Sequence, residues 1–187
     1  GLVGSEMCIR DSSIIGKDLD SLADDVSFGV APSLIVFSLF KEMDYSGAME
    51  SLAGVFPYLA FLLSVLSALR LAKFNNDTRQ TSSFVGLPVP ANALFWASLV
   101  TGAHDWLVSS NFHPVYLLLL VCLFSWLLVS EIPMFSLKFK NLSWKDNKTS
   151  FIFLLVCIPF LIFLGICSFS AIIVWYILLS LITRKSK

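Results

Sequence analysis

Two carboxylates one helical turn apart stand at the start of the first long apolar stretch of the sequence. They are Asp20 and Asp24 in the segment GKDLDSLADD, and Gly16 precedes Asp20 by four residues. Residues four apart share one face of a helix, so the three form a stripe. Neighbouring carboxylates repel each other unless a cation lies between them, and oxygen ligands favour hard ions such as Mg²⁺ or Mn²⁺ over zinc. The stripe predicts a divalent-ion site, with Gly16 leaving room for a bulky ligand.

The stripe also has a structural alternative, because acidic residues favour the first turn of a helix and complement its dipole. Two carboxylates do not fill a metal coordination shell, so a metal site here needs ligands from a second helix. Asp18 and Asp25 fall on other faces, where we expect them to be solvated or paired at the membrane interface.

A second candidate group is basic. Arg70 and Lys73 lie one turn apart in LRLAKFN, at the end of another apolar stretch. A guanidinium there can bind a phosphate or carboxylate in bidentate geometry. The alternative is that both long side chains reach from the helix end toward the lipid headgroups.

The elements that carry these residues are membrane helices. The chain has 187 residues, 57% hydrophobic and 14% charged, and a mean hydropathy of +0.81. Soluble domains average about 25% charged residues, so an ordinary soluble fold is excluded. Thirteen basic residues balance thirteen acidic ones, which gives no indication of a nucleic-acid partner. The fold class is therefore an all-α, polytopic membrane bundle.

About six transmembrane helices are predicted, because each needs roughly 20 apolar residues. We expect a kink at Pro32 in the first, Pro57 in the first turns of the second, and a break at Gly165-Ile166-Cys167-Ser168 that splits the last stretch into a hairpin. The spans cover about 20–40 (A), 51–73 (B), 90–109 (C), 113–131 (D) and, together, 150–183 (E and F).

Charge in the links orients the spans. The links after A, C and E carry one cation, Lys41, whereas those after B and D and the C-terminus carry nine. Cytoplasmic loops are enriched in Lys and Arg, which places both ends of the chain in the cytoplasm and makes the cell membrane the expected location. The nine cations are Lys73, Arg79, Lys138, Lys140, Lys145, Lys148, Arg184, Lys185 and Lys187.

Two further expectations concern the ends of the spans. The tryptophans, Trp96 among them, suit interfacial belts, and His104-Asp105 is read as an interfacial pair rather than a catalytic dyad. Residues 1–12 (GLVGSEMCIRDS) contain no signal peptide and resemble translated sequencing-adapter read-through. We therefore expect a non-native leader over 1–12 and one transmembrane domain over 13–187, with core spans over 20–131 and a C-terminal hairpin over 150–183.

The acidic and basic segments together resemble a known family. The spacing Gly16-x3-Asp20-x3-Asp24 is similar to the second half of the motif of the CDP-alcohol phosphatidyltransferases, D-x2-D-G-x2-A-R-x8-G-x3-D-x3-D. The segments GKDLDSLADDVSFGVAPS, LRLAKFN and SSFVGLPVPANA look like the bacterial phosphatidylserine synthase branch, from about Ser13 to about Ala93.

The first half of the motif is absent. Counting back from Gly16 places its Asp-Gly pair at Leu2 and Val3 and its Ala-Arg pair at Glu6 and Met7. We expect that two helices are missing at the front, and that the 187-residue chain alone has little or no activity.

The resemblance implies a reaction. The family transfers a phosphatidyl group from CDP-diacylglycerol to an alcohol, here L-serine, and releases CMP. It uses two divalent ions, Mg²⁺ or Mn²⁺, held by four Asp, of which Asp20 and Asp24 match the third and fourth. Asp24 would be the general base, and Gly16, Arg70 and Lys73 would contact substrate.

Membrane lipids as partners and a homodimer are further implications of the resemblance. Three alternatives stay open. One is a sister enzyme that uses glycerol 3-phosphate or inositol. The others are a small transporter and a non-enzymatic membrane protein.

Overall fold

The computed structural model describes residues 14–45, 47–76, 84–134 and 147–183, and these are almost entirely helical. The predicted leader over 1–12 lies outside the described residues. In chain order the elements are α1 (Ile14–Asp25), a π-helical segment (Val26–Val30), α2 (Ala31–Glu42), a 3₁₀ turn (Gly47–Leu52), α3 (Phe56–Leu59), α4 (Leu62–Asn76), β1 (Phe84–Val85), α5 (Val89–Val108), α6 (Pro114–Val129), β2 (Pro133–Met134), α7 (Lys148–Phe163), a 3₁₀ turn (Gly165–Cys167) and α8 (Ser168–Ile182).

Helices long and apolar enough to cross a bilayer confirm the all-α membrane fold. Within the described ranges, three meet both criteria by length and composition, namely Asp18–Glu42, Phe56–Asn75 and Gly165–Ile182, while α6 and α7 are shorter apolar helices. All six predicted spans are helical at their expected places. The number of crossings and the side on which each end lies stay predictions.

Span A is one long rod made of α1, the π segment and α2. At 1.5 Å per residue it is roughly 43 Å long, so it exceeds the roughly 30 Å hydrocarbon core. The kink expected at Pro32 stays a prediction, and the π segment ends two residues before this proline. Proline has no N–H to donate, and the Ser33 hydroxyl donates to the Gly29 carbonyl (2.7 Å) inside this segment.

Two further expectations concern the start of span B and the division of the last apolar stretch. Span B becomes α-helical at Phe56 rather than near residue 51, and Pro57 lies in that first turn as expected. The last apolar stretch is divided by the 3₁₀ turn at Gly165–Cys167, as predicted. Gly165 has φ +53°, a left-handed conformation that glycine adopts without a steric penalty.

Residues 84–88, which lead into α5, contact the end of α6. Strand β1 pairs antiparallel with β2, with Phe84 opposite Met134. The Gly86 N–H donates to Ile132 O (2.9 Å), and a Cβ on Gly86 (φ +75°) would lie 2.8 Å from the Leu128 and Ser130 carbonyl oxygens. Glycine is required here by both the dihedral angle and the space.

The core corrects one expectation. Trp96 is fully buried, stacks edge-on against Phe95 and donates from Nε1 to Asn92 Oδ1 (3.2 Å). It is therefore a core residue and not part of an interfacial belt, whereas Trp106 and Trp126 are exposed. The burial of Trp96 depends on which helices pack against α5, which composition alone does not give.

The end of the bundle opposite the acidic stripe is joined by polar contacts. His104 Nε2 lies 2.9 Å from Glu42 Oε2, which links α5 to α2, and Asp105 lies 3.6 Å from His104 Nδ1. The pairing of His104 with Asp105 agrees with the expectation, and its position at a membrane interface stays a prediction. The Tyr45 hydroxyl donates to Phe40 O (2.9 Å), and burial raises the pKa of Tyr45 to about 12, so it remains a donor at neutral pH.

The C-terminal hairpin packs against α5 through small and hydroxylated residues. The Ser98 and Ser170 hydroxyls hydrogen-bond each other, and Ser170 also donates to Phe95 O (2.9 Å). A Cβ on Gly102 would lie 2.5 Å from Cys167 Sγ and 2.9 Å from Cys167 N. Small residues of this kind let membrane helices approach closely.

We expect Gly102→Ala to destabilise the protein by about 1–3 kcal/mol, because the added methyl overlaps the Cys167 backbone. The measurement is the free energy of unfolding in mixed micelles. Gly54→Ala is the matched control, since a Cβ there has no neighbour within 4 Å. Equal stability of the two variants would contradict the close packing.

Candidate functional site

The acidic stripe lies on α1, the part of the first rod that extends beyond the π segment. Gly16, Asp20 and Asp24 follow each other at four-residue intervals along a continuous helix. Neighbours at this spacing have Cβ atoms about 5–6 Å apart. Asp20 and Asp24 are half-buried, while Asp18 on another face is exposed. The structure thus places the stripe as the sequence predicts.

The partner of this rod is α4, which runs antiparallel to it. Asn75 Nδ2 donates to Ser21 Oγ (2.7 Å) near one end of the contact. Eight residues further along each helix, Gly29 faces Ser67. A Cβ added to Gly29 would lie 3.0 Å from the Cβ of Ser67. By this register Asp24 lies opposite residues 71–72. The stripe and the basic end of α4 are therefore at the same depth of the bundle.

Arg70 is buried in this end of α4. Its side chain is 7% exposed, and its Nε has no hydrogen-bond partner among the described residues. The guanidinium lies 5.9 Å from the centroid of the Phe74 ring. The alternative in which Arg70 reaches out to the headgroups is therefore wrong, whereas Lys73 is exposed and fits that alternative.

Burial of Arg70 has an energetic consequence. Removing a charge from water costs several kcal/mol unless an opposite charge lies close by. A cation–π contact with Phe74 recovers only about 0.5–2 kcal/mol. No carboxylate within the described part of the chain forms an ion pair with Arg70. The site is thus suited to an anionic ligand that supplies the missing charge.

Asp25 corrects an expectation. One of its oxygens, Oδ1, is buried without a hydrogen-bond partner in the described chain, and so is Ser67 Oγ on the facing helix. A Cβ added to Gly29 would overlap the same Asp25 oxygen. Asp25 therefore turns partly into the contact with α4 instead of lying wholly at the interface.

The carboxylate oxygens present are of the type that a hard divalent ion prefers, but they are too few to complete its coordination shell. Asp20 and Asp24 offer carboxylate oxygens one turn apart, which is the donor type that Mg²⁺ and Mn²⁺ prefer. Among the residues that the structure describes, no group of three or more His, Cys, Asp or Glu side chains comes together. Further ligands must come from outside these residues or from substrate.

An apolar groove starts three residues after Asp24. It has a volume of about 440 Å³ and lies between the first rod and the beginning of α5. Ser27 is its one hydroxylated residue, and small side chains leave it open. Its lining is Ser27, Phe28, Ala31, Pro32, Ile35, Pro90, Ala93, Leu94 and Ala97.

Sequence reasoning missed several residues around this site. Asn75 and Ser67 fix α4 against the first rod, and Tyr176 of α8 is buried in the bundle. Asn75 is the last residue of the basic segment LRLAKFN, so its place in the sequence was a usable signal. Ser67 and Tyr176 are isolated polar residues in apolar runs, and nothing in their spacing connects them with the stripe.

The fold and the site define a helical membrane protein with carboxylates and a buried guanidinium at one end. The chain is similar in sequence to several enzymes of phospholipid synthesis. CDP-diacylglycerol–serine O-phosphatidyltransferase of Helicobacter pylori (strain J99) is 31% identical over 189 residues, covering 94% of this chain and 74% of that protein. The Bacillus subtilis protein of the same name is 33% identical over 120 residues, 64% of this chain and 58% of that protein. Archaetidylserine synthase of Methanothermobacter thermautotrophicus is 35% identical over 91 residues, 48% of this chain and 35% of that protein.

No family model matches the chain. The coverage of the Helicobacter pylori relative nevertheless settles the family. The chain belongs to the CDP-diacylglycerol–serine O-phosphatidyltransferases, a family of membrane enzymes, which confirms the resemblance.

We expect Gly29→Ala to separate α4 from the first rod, because its Cβ would overlap Asp25 Oδ1 and press on Ser67. The predicted loss is about 1–3 kcal/mol in the free energy of unfolding in micelles. Adding Ser67→Gly should recover part of the loss, since it removes one of the two overlaps. A loss unchanged by the second substitution would show that the two helices do not meet at these residues.

Proposed function

We propose that the protein, when both halves of the motif are present, transfers the phosphatidyl group of CDP-diacylglycerol to L-serine and releases CMP. The observation that carries the proposal is the position of the Asp20–Asp24 stripe at the same depth as the buried Arg70, in a chain of this family. This end of the bundle combines a base, a candidate metal site and an anion site.

The chemistry assigns one role to each residue. The serine hydroxyl oxygen attacks the phosphorus that carries the lipid, the bond from that phosphorus to the CMP oxygen breaks, and CMP leaves with the electron pair. Asp24 accepts the hydroxyl proton as general base, which requires hydrogen-bond distance to the hydroxyl. Two divalent ions, Mg²⁺ or Mn²⁺, held in part by Asp20 and Asp24, offset the pyrophosphate charge when bound.

The remaining site residues bind and orient. Arg70 is assigned to the serine carboxylate or the lipid phosphate, since its guanidinium lacks a counter-ion among the described residues. Lys73, exposed one turn away, is assigned to phosphate. Gly16 leaves the outer end of the stripe open to the nucleotide.

The apolar groove supports a lipid substrate. From Ser27 to Ile35 the first rod extends about 12 Å into the apolar part of the bundle. A lipid whose phosphate lies at the stripe would have apolar side chains along its path, which favours a diacylglycerol-linked donor over a water-soluble one.

The setting of the reaction is part of the proposal. We place the site at the cytoplasmic face of the cell membrane, with both ends of the chain on that side, because nine of the ten cations in the links and at the C-terminus fall on one side of the predicted topology. The family resemblance supports a homodimer. Because the chain carries two of the four motif aspartates, we propose that its 187 residues alone turn over little substrate.

We expect Asp24→Asn to lower CMP release at least ~100-fold, because an amide cannot accept the proton. The assay uses a chimera in which the first motif half of the Helicobacter pylori relative precedes Ser13, with CDP-diacylglycerol, Mn²⁺ or Mg²⁺, and L-serine. Asp18→Asn is the matched control, since Asp18 is exposed on another face of α1.

Parallel reactions contain glycerol 3-phosphate or inositol in place of serine. Release with one of these alone would keep the mechanism and change the acceptor. Equal losses in the Asp18 and Asp24 variants, or release without added metal, would contradict the assigned roles.

A further inference from the structure

Three buried polar side chains, one each on α4, α5 and α6, carry an atom that has no hydrogen-bond partner in the described part of the chain. These atoms are Ser67 Oγ, Asn92 Nδ2 and Ser125 Oγ. The three residues are at most 2% exposed, so bulk water does not reach them. Buried polar groups in native proteins are nearly always satisfied, by ordered water where no protein group supplies the bond.

The three residues lie at one depth of the bundle. One turn nearer the candidate site, three aliphatic side chains join the same three helices in a cluster, namely Leu71, Val89 and Leu128. Ser67 precedes the cluster residue of its helix by four positions and Ser125 by three, whereas Asn92 follows its own by three. Residues at these spacings share a helix face. Because α4 and α6 end near the cluster and α5 begins there, all three steps lead one turn deeper on the faces that already meet.

Aromatic contacts place Asn92 beside α6. Trp96 Nε1 donates to Asn92 Oδ1 (3.2 Å), and the Trp96 ring lies edge-on to Phe124, with centroids 5.7 Å apart. Phe124 directly precedes Ser125 and stacks on Phe95, with centroids 3.9 Å apart. An indole N–H only donates, so the amide oxygen of Asn92 faces the tryptophan, and the amide NH₂ is the group that needs an acceptor.

The helix that carries Ser67, α4, contacts the first rod, α5 and α6. A Cβ added to Gly29 would lie 3.0 Å from the Cβ of Ser67 and would overlap Asp25 Oδ1, so the Asp25 carboxylate is the competing partner for the Ser67 hydroxyl. A hydrogen bond between these two would leave Asn92 Nδ2 and Ser125 Oγ unsatisfied within the described interior, which is unfavourable.

We propose that Ser67, Asn92 and Ser125 bind one buried water molecule that joins α4, α5 and α6. Buried waters make about three hydrogen bonds to groups that would otherwise be unsatisfied. This water accepts from Asn92 Nδ2 and donates to the two hydroxyl oxygens, so each of the three atoms gains a partner. A metal cation does not suit the position, because the amide presents its hydrogen atoms to it. The proposal does not rest on the proposed function.

The experiment is a double-mutant cycle of Ser67→Ala and Ser125→Ala, read out as the unfolding equilibrium constant of the chain in mixed micelles. We expect each single variant to unfold about 3- to 10-fold more readily, the effect of one hydrogen bond. Because both hydroxyls use the same water, the effect of the double variant should differ from the product of the single effects by about 3-fold or more.

Ser125→Ala combined with Ser180→Ala is the control cycle. The Ser180 hydroxyl donates to the Tyr176 carbonyl of its own helix (2.8 Å), so its loss should be independent of Ser125. The same independence would hold between Ser67 and Ser125 if each hydroxyl bonded only to its own helix.

A second measurement detects the water itself. In nuclear magnetic resonance spectra of the chain labelled with ¹⁵N-asparagine, we expect the side-chain amide of Asn92 to show a nuclear Overhauser effect to a long-lived water molecule. The double variant Ser67→Ala with Ser125→Ala should lose this signal. The amide of Asn111, which is exposed, should show contact with bulk water only.

Three results would each overturn the proposal. They are independent effects of Ser67→Ala and Ser125→Ala, coupling of Ser67→Ala to Asp25→Asn instead of to Ser125→Ala, and the absence of a long-lived water at Asn92 in the folded, unsubstituted chain.

Discussion

The antiparallel contact between the first rod and α4 is the constraint on which the site depends. It is fixed at two levels, by the hydrogen bond between Asn75 and Ser21 and by the approach of Gly29 to Ser67. Because two fixed points determine the register of two helices, the depth of every other residue on them follows. A shift of one turn, about 5.4 Å, would separate the stripe from Arg70.

This arrangement divides the roles among the helices. The first rod carries the carboxylates and one wall of the apolar groove, and α4 carries the guanidinium. The remaining polar contacts hold these elements in place, since Ser98 and Ser170 connect α5 to α8 within the apolar core. Reactive groups therefore lie at one end of the bundle, and an apolar body separates them from the His104–Glu42 pair at the other end.

Much of the fold could be predicted from the sequence, because membrane helices follow from local composition. The six apolar stretches, the break at Gly165 and the irregularity before Pro32 all depend on residues close together in the chain. Asp20 and Asp24 share a face for the same reason. The burial of Trp96, the inward turn of Asp25 and the position of Tyr176 depend on which helices pack together, and no residue near them in sequence carries that information.

The central claim is that Asp20 and Asp24 hold a divalent ion beside the basic end of α4. It is tested most directly by the effect of Mn²⁺ on a nitroxide attached to Lys73→Cys, in a chain whose native cysteines are replaced. We expect Mn²⁺ to broaden the spectrum of this label strongly and that of a label at Tyr58→Cys only slightly, because Tyr58 lies about 22 Å further along the α3–α4 segment. We also expect that Asp20→Asn with Asp24→Asn abolishes the difference. Equal broadening at the two labels, or a difference that survives the double substitution, would contradict the claim.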